Sequence, residues 1–276
     1  MNRIAPSSSR PAMRRIAIAI GLAVAASASY AQSTTVRLGN ASQNQAGAAN
    51  TQKADIGNAS QGGTTRVNVG NASQNQIGAG QRQSLEVGNV KGSGRANVNV
   101  GSIRQDQAGV SNSQSAKVGN VTGSGSTRVD IGSANQLQAG ALNRQQLEVG
   151  NVSGSGSSNV RAGSLNQGQA GALNDQKMEI GNSKGAGQSN VNVGTVNQLQ
   201  AGTMNRQNVR IGNTAGNGRA NVNVGSVVQA QAGALNNQSV EIGNNTSGGT
   251  TNVTVGGIVQ GQAGVGQTNK IRIGNR

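Results

Sequence analysis

"QAGALNRQ" occupies residues 138–145, and the chain returns to this phrase at a fixed interval. "QAGAANTQ" starts at Gln45, "QAGALNDQ" at Gln169, "QAGTMNRQ" at Gln200 and "QAGALNNQ" at Gln231. The leading glutamine falls at Gln45, Gln76, Gln107, Gln138, Gln169, Gln200, Gln231 and Gln262, so every step is 31 residues with no insertion or deletion. A period of this size, held over eight copies, marks a solenoid or array in which each unit buries its apolar face against its neighbours. The units start at Ser33, Thr64, Arg95, Ser126, Ser157, Gln188, Arg219 and Thr250.

On the N-terminal side of the phrase, each unit carries a column of one residue type: Val36, Val67, Val98, Val129, Val160, Val191, Val222 and Val253. Two residues further on, the column reads Leu38, Val69, Val100, Ile131, Ala162, Val193, Val224 and Val255. Polar residues separate the two, as in "RANVNVG", and alternation of β-branched with polar residues predicts a half-buried strand. On the C-terminal side, "SLEVGN", "QLEVGN" and "SVEIGN" predict a second strand with inward columns running from Leu85 to Ile271 and from Val87 to Ile273. Between them the phrase alternates in amides, with columns led by Gln43, Gln45, Asn50 and Gln52.

If the units stack as parallel rungs roughly 4.8 Å apart, like residues sit above one another. Glutamine carries amide donors and a carbonyl acceptor, so the Gln45 column is expected to bond along the stack, each side chain satisfying the next. The Val36 column is expected to form a dry seam, and glycines at the Gly47, Gly57 and Gly70 phases to permit corners. The outward column of Asp55, Glu86, Lys117, Glu148, Glu179, Arg210, Glu241 and Arg272 mostly alternates in sign along the stack, which tunes register. Together these features predict an all-β fold: a β-solenoid of eight 31-residue coils, cross-β-like, with Val/Ile and Gln/Asn ladders. A propeller blade needs four strands and typically about 40–45 residues, which fits the unit less well.

Residues 1–31 read as a secretory signal peptide: Arg14 and Arg15 precede "IAIAIGLAVAA", and "SYA" at 29–31 supplies small residues for cleavage before Gln32. Residues 32–276 then form a single repeat domain, exported and placed extracellularly or on the cell surface. Both prolines and the single tyrosine lie in the leader, so the remainder holds no Pro, Tyr, Phe, Trp, Cys or His. An ordinary globule draws much of its core burial from aromatic rings, and this one has none to use. The formal charge is +15, and loss of Arg3, Arg10, Arg14 and Arg15 with the leader removes four charges to leave +11. A basic exported chain attracts anionic polymers such as acidic polysaccharide or extracellular DNA.

Enzymatic chemistry is not expected. Without His, Cys or Tyr there is no usual proton shuttle, thiol nucleophile or soft metal ligand. The eight acids are scattered, so neither a catalytic nor a metal site is expected, nor a cofactor or a small-molecule substrate.

The string Q-x-G-x-x-N at Gln45, Gln107, Gln138, Gln169, Gln200 and Gln231, with Gln81 and Gln267 replacing the asparagine in the other two units, resembles the curlin repeat of bacterial functional amyloids. The "NVNVG" texture is similar to repeats of the Fap functional amyloids. The resemblance implies export, assembly on the cell surface and a biofilm-matrix or adhesion role, with an outer-membrane exporter and a nucleator as partners. The function expected from the sequence is thus a self-assembling fibre subunit, a homopolymer through its open coil ends. The alternative is a monomeric β-solenoid adhesin that binds anionic polymers. For the fibre, the stacking residues are expected to be the Gln45-to-Gln262 and Val36-to-Val253 columns.

Overall fold

The computed structural model describes residues 22–24, 33–60, 62–246 and 248–274. Most of the predicted leader, with its charged pair and cleavage site, lies outside them. Among the described residues there is no helix, and every strand pairing is parallel and 31 residues apart, except that of Leu22–Val24. The protein is a β-solenoid of about eight coils.

Coil 4 illustrates the unit. Its long strand is Ser126–Leu137, its short strand Gln145–Val149 and its corner strand Val152–Ser153. Stacking these elements builds an eight-stranded sheet of long strands, a nine-stranded sheet of short strands and a six-stranded sheet of corner pairs among the described residues. The ninth short-sheet strand is Leu22–Val24, which pairs with Ala54–Ile56. Register is strict throughout, with Val129 paired to Val98 on one side and Val160 on the other.

The alternation in sequence produces the alternation in burial, with one planned interruption. In Arg95–Asp106, Ala96, Val98 and Val100 point inward, then Gly101 and Ser102 both face out, and Ile103 and Gln105 are buried. The strand bends there, and a Cβ on Gly101 would lie 2.4 Å from the carbonyl oxygen of Gly70 in the preceding coil. Only hydrogen fits between the two backbones. The corner after the short strand makes a different demand. Gly150 adopts φ +60°, and a Cβ there would sit 2.1 Å from Val160 Cγ2.

The Gly47 phase departs from expectation. Those glycines have no positive φ, and the left-handed residue is the next one: Ala48, Ala79, Val110, Ala141, Ala172, Thr203, Ala234 and Val265, at φ 66–113°. Such angles are costly for non-glycine residues, most of all for β-branched ones. The compensation is visible in the backbone, where Ala141 N donates to Gly171 O at 3.0 Å and Val110 N to Gly140 O at 2.8 Å. The strained residue turns its amide toward the next rung, so the loop is laddered as the strands are.

The interior is divided across each coil. One half is apolar: in coil 3, Val98, Val100, Ile103, Ala116, Val118 and Val121 are all buried to within 1%. The other half is amide, where Gln105, Gln107, Asn112 and Gln114 are also buried. On the outside, Lys117–Glu148 (3.9 Å), Arg210–Glu179 (3.7 Å) and Arg210–Glu241 (3.2 Å) join successive rungs. Being partly exposed, such pairs bias register more than they hold the fold.

Candidate assembly interface

The Val36 column lies where the sequence places it. Val36 through Val222 are buried, stacked in register, and part of one continuous apolar core. Val253, in the last coil, packs against that core but is only partly buried.

The Gln45 column is stacked and largely buried, yet its amides do not bond to one another. Gln76 Nε2 donates to Arg82 O at 2.6 Å, Gln107 to Ser113 O at 2.7 Å, Gln138 to Arg144 O at 2.6 Å and Gln169 to Asp175 O at 2.9 Å. Gln45, Gln200, Gln231 and Gln262 make the same bond to the carbonyl six residues on. Each of these glutamines clasps its own loop. The expected ladder along this column is therefore corrected: the left-handed residue folds the loop back, bringing a carbonyl within reach before the next rung's amide.

The ladder along the stack runs through other columns. Gln83, Gln114, Gln145, Gln176, Gln207 and Gln238 each donate Nε2 to Oε1 of the preceding coil's amide, beginning with Gln52, at 2.9–3.2 Å. Asn112, Asn143, Asn174, Asn205 and Asn236 form a second ladder at 2.7–2.9 Å, beginning on Gln81. Both are buried, where an amide chain is electrostatically strong so long as each rung is paired. At the ladder ends Gln81 Nε2, Asn236 Oδ1 and Gln238 Oε1 lack a partner among the described residues.

A third ladder escapes sequence reasoning. After each corner glycine an asparagine side chain accepts from the backbone N–H of its counterpart one coil on, from Asn89 N to Asn58 Oδ1 (2.8 Å) through Asn244 N to Asn213 Oδ1 (2.8 Å). The signal was present in the invariant "GN" after each short strand.

The Gln43 column is the least satisfied. Gln74, Gln105 and Gln198 are buried, and neither amide atom of any of them has a hydrogen-bond partner among the described residues.

No group of three or more His, Cys, Asp or Glu residues that could hold a metal occurs among the described residues. The outer face of the long-strand sheet carries shallow grooves of about 460 and 480 Å³, lined by residues including Asn99, Asp130, Arg161, Asn192 and Asn223. With one cation and one acid among these five, they do not form a basic stripe.

The end of the array is where the interior becomes surface. Val240 and Ile242 in coil 7 are fully buried, whereas their counterparts Ile271 and Ile273 in coil 8 are 49% and 43% exposed. The strands Thr250–Gln260 and Asn269–Ile273 are the edges of their sheets among the described residues. Neither a protein-family model, nor a curated protein, nor a solved structure matches the chain.

Proposed function

We propose that this chain is a secreted, self-assembling structural subunit of an extracellular amyloid-like fibre, serving a biofilm matrix or surface adhesion, and that it is not an enzyme. The single observation that carries this reading is the eighth coil, whose strands have no further strand paired beyond them among the described residues. Its inward apolar columns match those of the interior coils in register and type, yet lie partly exposed where the interior columns are dry. An unpaired edge with matching side chains is a template for a further strand. Another copy's long strand, beginning at Ser33, supplies the pattern that fits it. The resemblance to curlin-like and Fap-like repeats supports the same reading and adds an outer-membrane exporter and a nucleator as partners. The net positive charge favours association of the finished fibre with acidic polysaccharide or extracellular DNA.

Seeded growth tests the proposal. Purified chain should elongate preformed seeds, giving fibres with the 4.8 Å cross-β reflection. Proline at Val253 or Ile271 should poison elongation when added to wild-type seeds, because it removes a ladder donor. A chain that stays monodisperse and soluble when seeded would overturn the fibre in favour of the monomeric adhesin. In that case the same proline variants would fray only the last coil.

A further inference from the structure

The tip of the loop in coils 2 to 8 is a three-residue turn closed by a backbone bond, Asn143 N to Ala141 O at 2.7 Å in coil 4. The central residue of that turn projects from the solenoid. In coils 2 and 3 it is Gly80 and Ser111, and in coil 8 it is Gly266. In coils 4 to 7 it is Leu142, Leu173, Met204 and Leu235, exposed by 52%, 41%, 51% and 56%. The same turn forms with small or polar residues, so folding does not require the four apolar ones. A continuous exposed apolar ridge is the kind of surface that marks an interaction site.

Two residues beyond the ridge, past a buried asparagine, the same coils carry Arg144, Asp175, Arg206 and Asn237. Asp175 lies between two arginine-bearing rungs, yet neither it nor Arg206 is in an ion pair among the described residues. This charge order has a consequence for symmetry. A twofold axis between coils 5 and 6 sets Leu142 against Leu235 and Leu173 against Met204, and faces each Asp175 with the other copy's Arg206. Shifting the axis to run through coil 5 sets Asp175 against Asp175, Arg144 against Arg206 and Leu235 against Ser111. Like charges directly opposed disfavour that register.

We infer that the ridge from Leu142 to Leu235 is a lateral docking surface for a second copy of this chain, antiparallel and isologous, with Asp175 and Arg206 paired twice across the axis. This contact is perpendicular to the stacking of coils and does not depend on it. In a fibre it joins two filaments, and in solution it joins two chains.

Sedimentation velocity on the full soluble chain, with electron microscopy of any fibres, tests the inference. The wild type should show a concentration-dependent dimer, and fibres should be paired. Replacing the four ridge residues by serine, which already occupies the position at Ser111, should abolish the dimer and leave single filaments. Asp175→Arg or Arg206→Asp alone should weaken dimerisation at least about tenfold, and the double exchange should restore it to within about threefold, because the pairing is regenerated. A strictly monomeric wild type with unpaired filaments would overturn the ridge contact, and so would a ridge variant that still dimerises. Failure of the exchange to restore pairing would overturn this antiparallel register. A dimer without fibres would sink the fibre reading and leave this one standing.

Discussion

The two halves of one coil bury residues for different reasons. In the apolar half the column through Ala54 continues as Leu85, Ala116, Leu147, Met178, Val209, Val240 and Ile271, so size and shape vary freely. In the amide half the column through Gln52 stays glutamine to Gln238 and ends in Asn269. Burial of apolar surface is non-directional, so any side chain of roughly fitting volume serves. An amide ladder needs a donor and an acceptor at the same height on every rung, so one wrong residue strands two neighbours. Variation thus marks the Ala54 column as one that fills space, whereas constancy alone does not mark a bonded column, since the Val36 column is valine in all eight coils.

The largest expected effect is on the bonded side. Gln145→Leu leaves Gln114 Oε1 and Gln176 Nε2 without partners. At about 1–3 kcal/mol for each stranded group, the denaturant midpoint should fall sharply. Leu165→Ala in the apolar half opens a cavity in a fully buried site and should cost about 2–5 kcal/mol by the same measurement. A loss well below that range would mean that neighbouring coils close the gap, which would sharpen the contrast between the halves.

A smaller effect is expected at Gln198→Leu, where both amide atoms already lack partners. An apolar replacement there should be neutral within about 1 kcal/mol or stabilising. If it destabilises as much as Gln145→Leu, the unbonded glutamines are satisfied in solution and the division within the amide half fails. Last, Asn99, Asn192 and Asn223, all exposed on the long-strand sheet, should tolerate serine with changes within about 0.5 kcal/mol each in unfolding titrations.

Much of this architecture was legible in the sequence because the period does the work of many separate signals. The Val36 column, the strand alternation and the 31-residue register all follow from counting. The roles of the amide columns did not, since Gln45 and Gln52 look alike on paper and differ only in what lies within reach. That difference arises from the left-handed turn at Ala48 and its equivalents, where no glycine advertises it. The ridge was equally hidden. An exposed leucine and a buried one look alike in sequence until the turn bond from Asn143 to Ala141 fixes which way the residue between them points.

The uniform spacing of contacts also bears on how such a chain can change over generations. Nearly every interior bond described above joins a residue to its counterpart one unit away, or lies within a single unit. Unequal recombination that deletes or duplicates 31 codons therefore leaves the remaining interior chemistry intact, whereas loss or gain of a single codon changes the length of one coil and breaks its register with its two neighbours. Array length is thus inherited in whole units. A gene of this kind can lengthen or shorten its product stepwise without passing through a misfolded intermediate.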